Sequence, residues 1–333
     1  MKVKNRLQLV TVIVLIFTVA VLILANMYMD DYKIRIINLS GIYITLGLSM
    51  NLINGFTGMF SLGHAGFMAI GAYSVGVLTM PAAMKEMNFF MQPIVPFLAN
   101  VEWGFLPSLL AAGLIAGLFG VLIGAPVLRL TDDYLAIATL GFAEIIRVVF
   151  TNTQSLTNGA LGLKGIPNYT NTWWSWGVAF VTLAFVSFLM KGSYGKAFMA
   201  IREDEVAARA MGVNLFKHKV MSFAFGSFFA GVAGGLLAAL LGTIDPNMFR
   251  ITLTFNILLI VVLGGLGRIG GTAIAAVIVT VMMEALRFLD ESINLGFVQL
   301  KGIPGMRMVV FSIILILSVV VGREGLLKKA KRA

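Results

Sequence analysis

From Leu7 to Met29 the chain runs without a charged residue. As an α-helix that stretch would be about 35 Å long, enough to cross a hydrocarbon core of roughly 30 Å. Lys2, Lys4 and Arg6 precede it. A signal peptide has the same basic flank, but its apolar core is only about 7–15 residues, so the stretch reads as a retained first span. Apolar segments of similar length follow at about 33–53, 58–80, 105–128, 134–150, 173–190, 220–241, 251–266, 271–289 and 306–321, giving about ten spans. The expected fold class is therefore an all-α integral membrane protein, a polytopic helical bundle forming one domain over residues 1–333. A composition that is 59% hydrophobic and only 12% charged agrees.

Composition also excludes chemistry. With no Cys there is no disulfide, thiolate or Cys-based zinc site, and the only histidines, His64 and His218, cannot hold a metal alone. No G-x-x-x-x-G-K-[ST] loop occurs, so ATP and its Mg belong to partner subunits and no cofactor is expected on this chain. "GGLGRIGG" (264–271) contains a formal G-x-G-x-x-G at Gly265, Gly267 and Gly270. That fingerprint needs a preceding strand inside a βαβ unit, and here it joins two apolar spans, so it reads as a tight turn. No nucleophile, base and orienting group can be assembled, so an enzyme is not expected.

Basic residues set the orientation. With both termini in the cytoplasm, Lys2, Lys4, Arg6, Arg129, Arg268 and the basic tail 322–333 all lie inside, as does the charged loop at about 191–219. The outer segments then carry Asp30, Asp31, Glu86, Glu102, Asp245, Asp290 and Glu291. The net charge of +10 is an inner-face asymmetry and does not indicate nucleic acid.

Within the charged loop, "REDEVAARAMG" reads as one short helix. Glu203, Asp204 and Glu205 sit where the N-terminal half-dipole favours acids, and Gly212 is placed as a left-handed C-terminal cap. Val206, Ala207, Ala210 and Met211 form one small apolar face, shallow enough for another protein's groove to approach. The alternative is an ordinary solvated loop helix.

Three features stand out inside the spans. Gly226, Ala230, Gly234, Ala238 and Gly242 keep an i+4 register, and Gly113, Gly117, Gly120 and Gly124 give another small face, both read as helix packing seams. Asn54, Gly55, Thr57 and Gly58 interrupt two apolar segments, giving an interrupted or re-entrant element, tolerable only when buried in protein or lining a cavity. The candidate solute path is accordingly Asn51, Asn54, Thr57, Ser61 and His64, among Phe56, Phe60, Leu62 and Phe67; the alternative is a tight turn with His64 bonded in the core. Glu144 with Arg147 and Glu284 with Arg287, each at i, i+3 near the outer ends of their spans, are either outer-gate groups or self-neutralising structural ion pairs. An ion-coupled carrier would also use interrupted helices, but it wants an unpaired deep acid or histidine and only His64 qualifies.

The charged loop resembles that of permease subunits of ATP-binding-cassette importers, whose E-A-A-x-x-x-G pattern docks into the ATPase. Ala207, Ala208 and Gly212 match; Val206 stands where the acid belongs, with Glu205 one residue earlier. "NLINGFTGMFSLGHAGFMAIGAY", "LRLTDDYLAIATLGFAEIIR", "AIREDEVAARAMGVN" and "VVLGGLGRIGGTAIAA", in that order over about residues 38–287, resemble the LivM-type permease of the branched-chain (hydrophobic) amino-acid uptake family. The resemblance implies a multi-pass permease of the bacterial cytoplasmic (inner) membrane. Its partners would be a homologous second permease, two ATPase subunits, a periplasmic or lipid-anchored solute-binding protein and membrane lipid. The cargo would be leucine, isoleucine or valine; urea or short amides would suit the same lining. ATPase coupling falls on Glu203, Asp204, Glu205, Val206, Ala207, Ala208, Met211 and Gly212. The sequence departs from the family at Asp132 and Asn158, where glycines are usual, and near Ala160 and Leu161, where polar residues are common.

Overall fold

The computed structural model describes residues 17–128 and 132–289, with the short pieces 293–294, 299–300, 305–306, 309–310 and 312–313. The start of the expected first span, most of the segment 306–321 and the tail 322–333 lie outside the described residues. Among the described residues, five helices are long and apolar enough to cross a membrane. The first is α2 (Asp31–Met50), which follows the shorter α1 (Phe17–Tyr28) and continues through a π-helical turn at Asn51–Phe56. The others are α6 (Phe105–Val127), α7 (Asp132–Asn152), α9 (Thr172–Lys191) and α12 (Leu215–Leu241). Three more apolar helices, α3 (His64–Thr79), α13 (Ile251–Gly264) and α14 (Ile269–Ala285), complete the bundle described.

α12 sits at the centre, packed on α6, α3 and α2. Lipid is as apolar as a leucine side chain, so close backbone approach, rather than removal of area from water, holds helices together here. The small residues supply it. A Cβ on Gly71 of α3 would lie 1.9 Å from the Gly231 carbonyl oxygen of α12, and one on Gly234 would lie 2.0 Å from that of Met68. Gly226 faces Ile53 and the Ser49 carbonyl of α2, while Gly120 of α6 lies against Ser227. The expected seams are packing seams, with one adjustment: Gly242 ends α12 as a left-handed cap at φ 70° instead of joining the strip.

Opposite the charged loop, a cap closes the bundle. It comprises α4 (Ala82–Asn88), α5 (Pro96–Ala99), α8 (Gln154–Thr157) and an antiparallel ribbon pairing Leu163–Lys164 with Thr243–Ile244. Lys85 is buried there, its ammonium donating to the carbonyls of Leu98 (2.8 Å) and Val101 (2.5 Å). Burial pushes its pKa below the ordinary lysine range, with Glu102 opposing. Asn158 is left-handed at φ 58°, and its amide donates to the Gly162 carbonyl at 2.7 Å. It thus occupies a glycine-type conformation that asparagine tolerates, which accounts for this departure from the family pattern.

One expectation needs correction. The segment at about 58–80 is not helical throughout: α3 begins only at His64, and residues 58–63 are non-helical. α3 alone is about 24 Å long and α13 about 21 Å, so neither crosses the hydrocarbon as a helix by itself. As expected, the glycine-rich stretch joins two apolar helices: residues 265–268 form the turn between α13 and α14, with positive φ at Gly265 (88°) and Gly267 (75°).

Candidate functional site

The charged loop folds as two helices, not the single one expected. α10 (Ser193–Glu203) stops at Asp204, which is extended (φ −162°, ψ 113°). Its carboxylate then accepts from the backbone N–H of Val206 (2.7 Å) and Ala207 (3.0 Å), starting α11 (Glu205–Ala210). Asp204 is thus an N-cap and Glu203 belongs to the preceding helix; an aspartate that satisfies two orphan donors outcompetes helix continuity. Glu205 pairs with Lys219 at the start of α12. Gly212 has φ 82° with open space around its Cα, so backbone conformation alone calls for glycine there.

α11 has two faces. Ala208 is buried against Ile201 and Leu215, so it seats the helix and does not lie on the outer face. Val206 and Met211 are 80% and 84% exposed, and Ala207 and Ala210 are exposed beside them.

Behind α11 stands Arg202, which the residue patterns did not single out. Its Nη1 donates to the carbonyl of Gly55 (3.2 Å) in the π-helical turn, and its aliphatic stem lies on Gly58, whose φ is 77°. Glu203 pairs with the same guanidinium. One step further in, Asn51 accepts from the N–H of Gly267 (2.9 Å) and donates to Thr272 Oγ1 (2.7 Å). The loop helix, the broken span and the α13–α14 turn therefore meet within one hydrogen-bonded group. No spacing rule marks Arg202, because its partners are backbone atoms distant in sequence.

The five expected path residues are buried; Asn51 ties the broken span to the α13–α14 turn, and the other four are bonded around the break. Asn54 donates to the Ser61 carbonyl (3.2 Å) and accepts from the Ser61 N–H (3.3 Å). Thr57 shares a hydrogen bond with Ser222 (2.6 Å), and His64 Nε2 with Ser49 (3.0 Å). His64 Nδ1 has no partner among the described residues. Since backbone freed by a broken helix must be bonded inside the protein, these side chains bridge the gap between α2 and α3.

The open face lies beside them. Along residues 58–63 burial alternates: Met59, Ser61 and Gly63 are buried, whereas Gly58 and Phe60 are exposed and Leu62 is partly so. That is the period of an extended chain lying on the bundle. The Leu62 N–H donates to Thr139 of α7 at 2.9 Å. Next to Leu62 opens a cavity of about 410 Å³, walled by Leu140, Ala143, Glu144 and Arg147 of α7 and by Phe249, Arg250, Ile251 and Thr252 at the start of α13.

The two ion pairs form but differ in place. Arg147 Nε donates to Glu144 Oε1 at 2.9 Å, on the cavity wall. Glu144 stands about 12 Å short of the end of α7, nearer mid-span than the outer position expected. Arg287 meets Glu284 at 3.1 Å at the end of α14, where Tyr32 also donates to Glu284 (2.7 Å). Arg250, likewise missed from sequence, donates to Asn247 at 2.7 Å.

A bundle of apolar helices with a broken span and with charges of both signs beside a cavity is built as a multi-pass membrane protein. A family model described as branched-chain amino acid transport system / permease component matches residues 32–319, and the chain belongs to that family. It is 33% identical over 313 residues to the high-affinity branched-chain amino acid transport system permease protein LivM of Escherichia coli, covering 83% of this chain and 69% of the relative. It is 25% identical to a probable LivM of Methanocaldococcus jannaschii (74% and 80% covered) and 26% identical to LivH of Salmonella typhimurium (75% and 83%). No solved structure matches.

Proposed function

We propose that this chain is the membrane-spanning subunit of an ATP-binding-cassette importer for leucine, isoleucine and valine in a bacterial cytoplasmic membrane. Its partners are a homologous second permease, two ATPase subunits and an external solute-binding protein. The observation that carries the reading is the apolar face of α11, Val206 and Met211 with Ala207 and Ala210, left exposed outside the bundle while Arg202 ties the adjoining helix to the broken span. An ATPase groove seated on α11 would move Arg202, and with it the π-helical turn. The family match supplies the solute class.

The second permease covers the face of residues 58–63, α7 and α13. Irregular backbone and mid-span charge are both costly against lipid, so this face requires protein or water. Solute passes between the two permeases there, while Asn51, Asn54, Thr57, Ser61 and His64 hold the break. Deleting the gene abolishes binding-protein-dependent leucine uptake by the host. Intact leucine uptake with lost urea uptake reassigns the solute; loss of neither contradicts the transport reading.

A further inference from the structure

We propose that the cavity beside Leu62 binds the charged ends of a free α-amino acid in transit, with Glu144 receiving the ammonium and Arg250 the carboxylate. The inference rests on the amino-acid permease reading and adds to it a place and a binding mode.

The hydrogen bonding leaves both groups available. Arg147 directs Nε and Nη2 at the same carboxylate oxygen, Glu144 Oε1, so Oε2 accepts nothing among the described residues. Arg250 commits one donor, to Asn247 Oδ1; a guanidinium carries five, fixed in a fork that matches a carboxylate. Arg147 half-neutralises Glu144, which weakens its hold on an ammonium, as a site that must also release its ligand requires. Leu140, Phe249 and Ile251 supply an apolar wall for an aliphatic side chain, and about 410 Å³ lies within the range of small-molecule sites.

Two unrelated observations keep lipid off this face. Exposed ionisable groups within a span face a bundle interior or an aqueous cavity, and Glu144 lies about 12 Å from the end of α7. Non-helical backbone at membrane depth obeys the same restriction, and residues 58–63 expose Phe60 here and put Leu62 on the cavity wall. The ligand class follows from the charges: a simple anion would meet Glu144 and a simple cation would meet Arg250, whereas a zwitterion satisfies both.

The test uses the absence of native cysteine. In the full complex without ATP, the Thr252→Cys variant is modified with a small thiosulfonate reagent. Leucine slows modification several-fold, leucinamide and 4-methylpentanoate do not, and Arg250→Gln in the same background removes the slowing. Ile274→Cys, on α14 away from the cavity, shows no slowing. Should Thr252→Cys fail to assemble, Leu140→Cys is read in the same way. Wild-type leucine uptake is measured alongside. Uptake without slowing overturns the site, slowing without uptake overturns the transport reading while leaving the site standing, and absence of both overturns the two together.

Discussion

Asn158 shows how a single residue can look like an anomaly and be a solution. Its φ of 58° places it in the region where an L side chain costs about 1–2 kcal/mol, and its bond to the Gly162 carbonyl offsets part of that. Asn158→Ala is expected to destabilise by about 1–3 kcal/mol, losing the bond and keeping the strain, while Asn158→Gly stays near wild type; thermal unfolding in detergent ranks the three. Ala208 and Met211 make a second contrast. A charge at Ala208 enters the contact with Ile201 and Leu215, so Ala208→Arg lowers the melting temperature. Met211→Arg, on a side chain 84% exposed, leaves melting unchanged and reduces co-purification of the ATPase subunits. The sequence showed the small residues around Gly212 but not which of them faces inward, because that is set by Leu215 and Ile201 packing beneath.

At the scale of elements, much was legible where periodicity or glycine carries the information. Each of the five helices long enough to span overlaps an expected apolar run, while α3 starts six residues later than its run, and the small-residue register of α12 announced close helix contact. The register could not say that Met68 and Gly71 of α3 would receive it, since partner choice in lipid depends on shape along both helices. The division of the charged loop was missed because Asp204 suits both a first helical turn and an N-cap; only its extended backbone decides between them. The break between α2 and α3 was visible as Gly55 and Gly58; that each of its neutral polar residues has a partner inside the protein was not, because partners such as Thr272 and Ser222 are distant in sequence. Arg202 joins these elements, and its prediction belongs here. Arg202→Gln removes the charge-assisted bond to Gly55, so ATP hydrolysis by the complex continues while leucine transported per ATP falls several-fold. Arg202→Lys recovers part of the coupling, and the melting temperature barely moves. Equal loss of hydrolysis and transport would contradict the link.

For the whole molecule, the structure divides the labour. The centre of α12, α3, α6 and α2 is close-packed, one end carries a helix with an exposed apolar face, and one side carries charge and irregular backbone that lipid does not tolerate. Such a body fits the proposed assembly, in which energy enters from partner ATPase subunits. A broken span by itself does not separate this class from an ion-coupled carrier, which also uses one; the source of energy does. The most direct measurement is uptake of radiolabelled leucine into proteoliposomes containing the purified complex, with the binding protein outside the membrane and ATP on the side of α11. The account predicts uptake that needs both and stops when either is left out. Uptake driven by a proton or sodium gradient with no ATP present would contradict it.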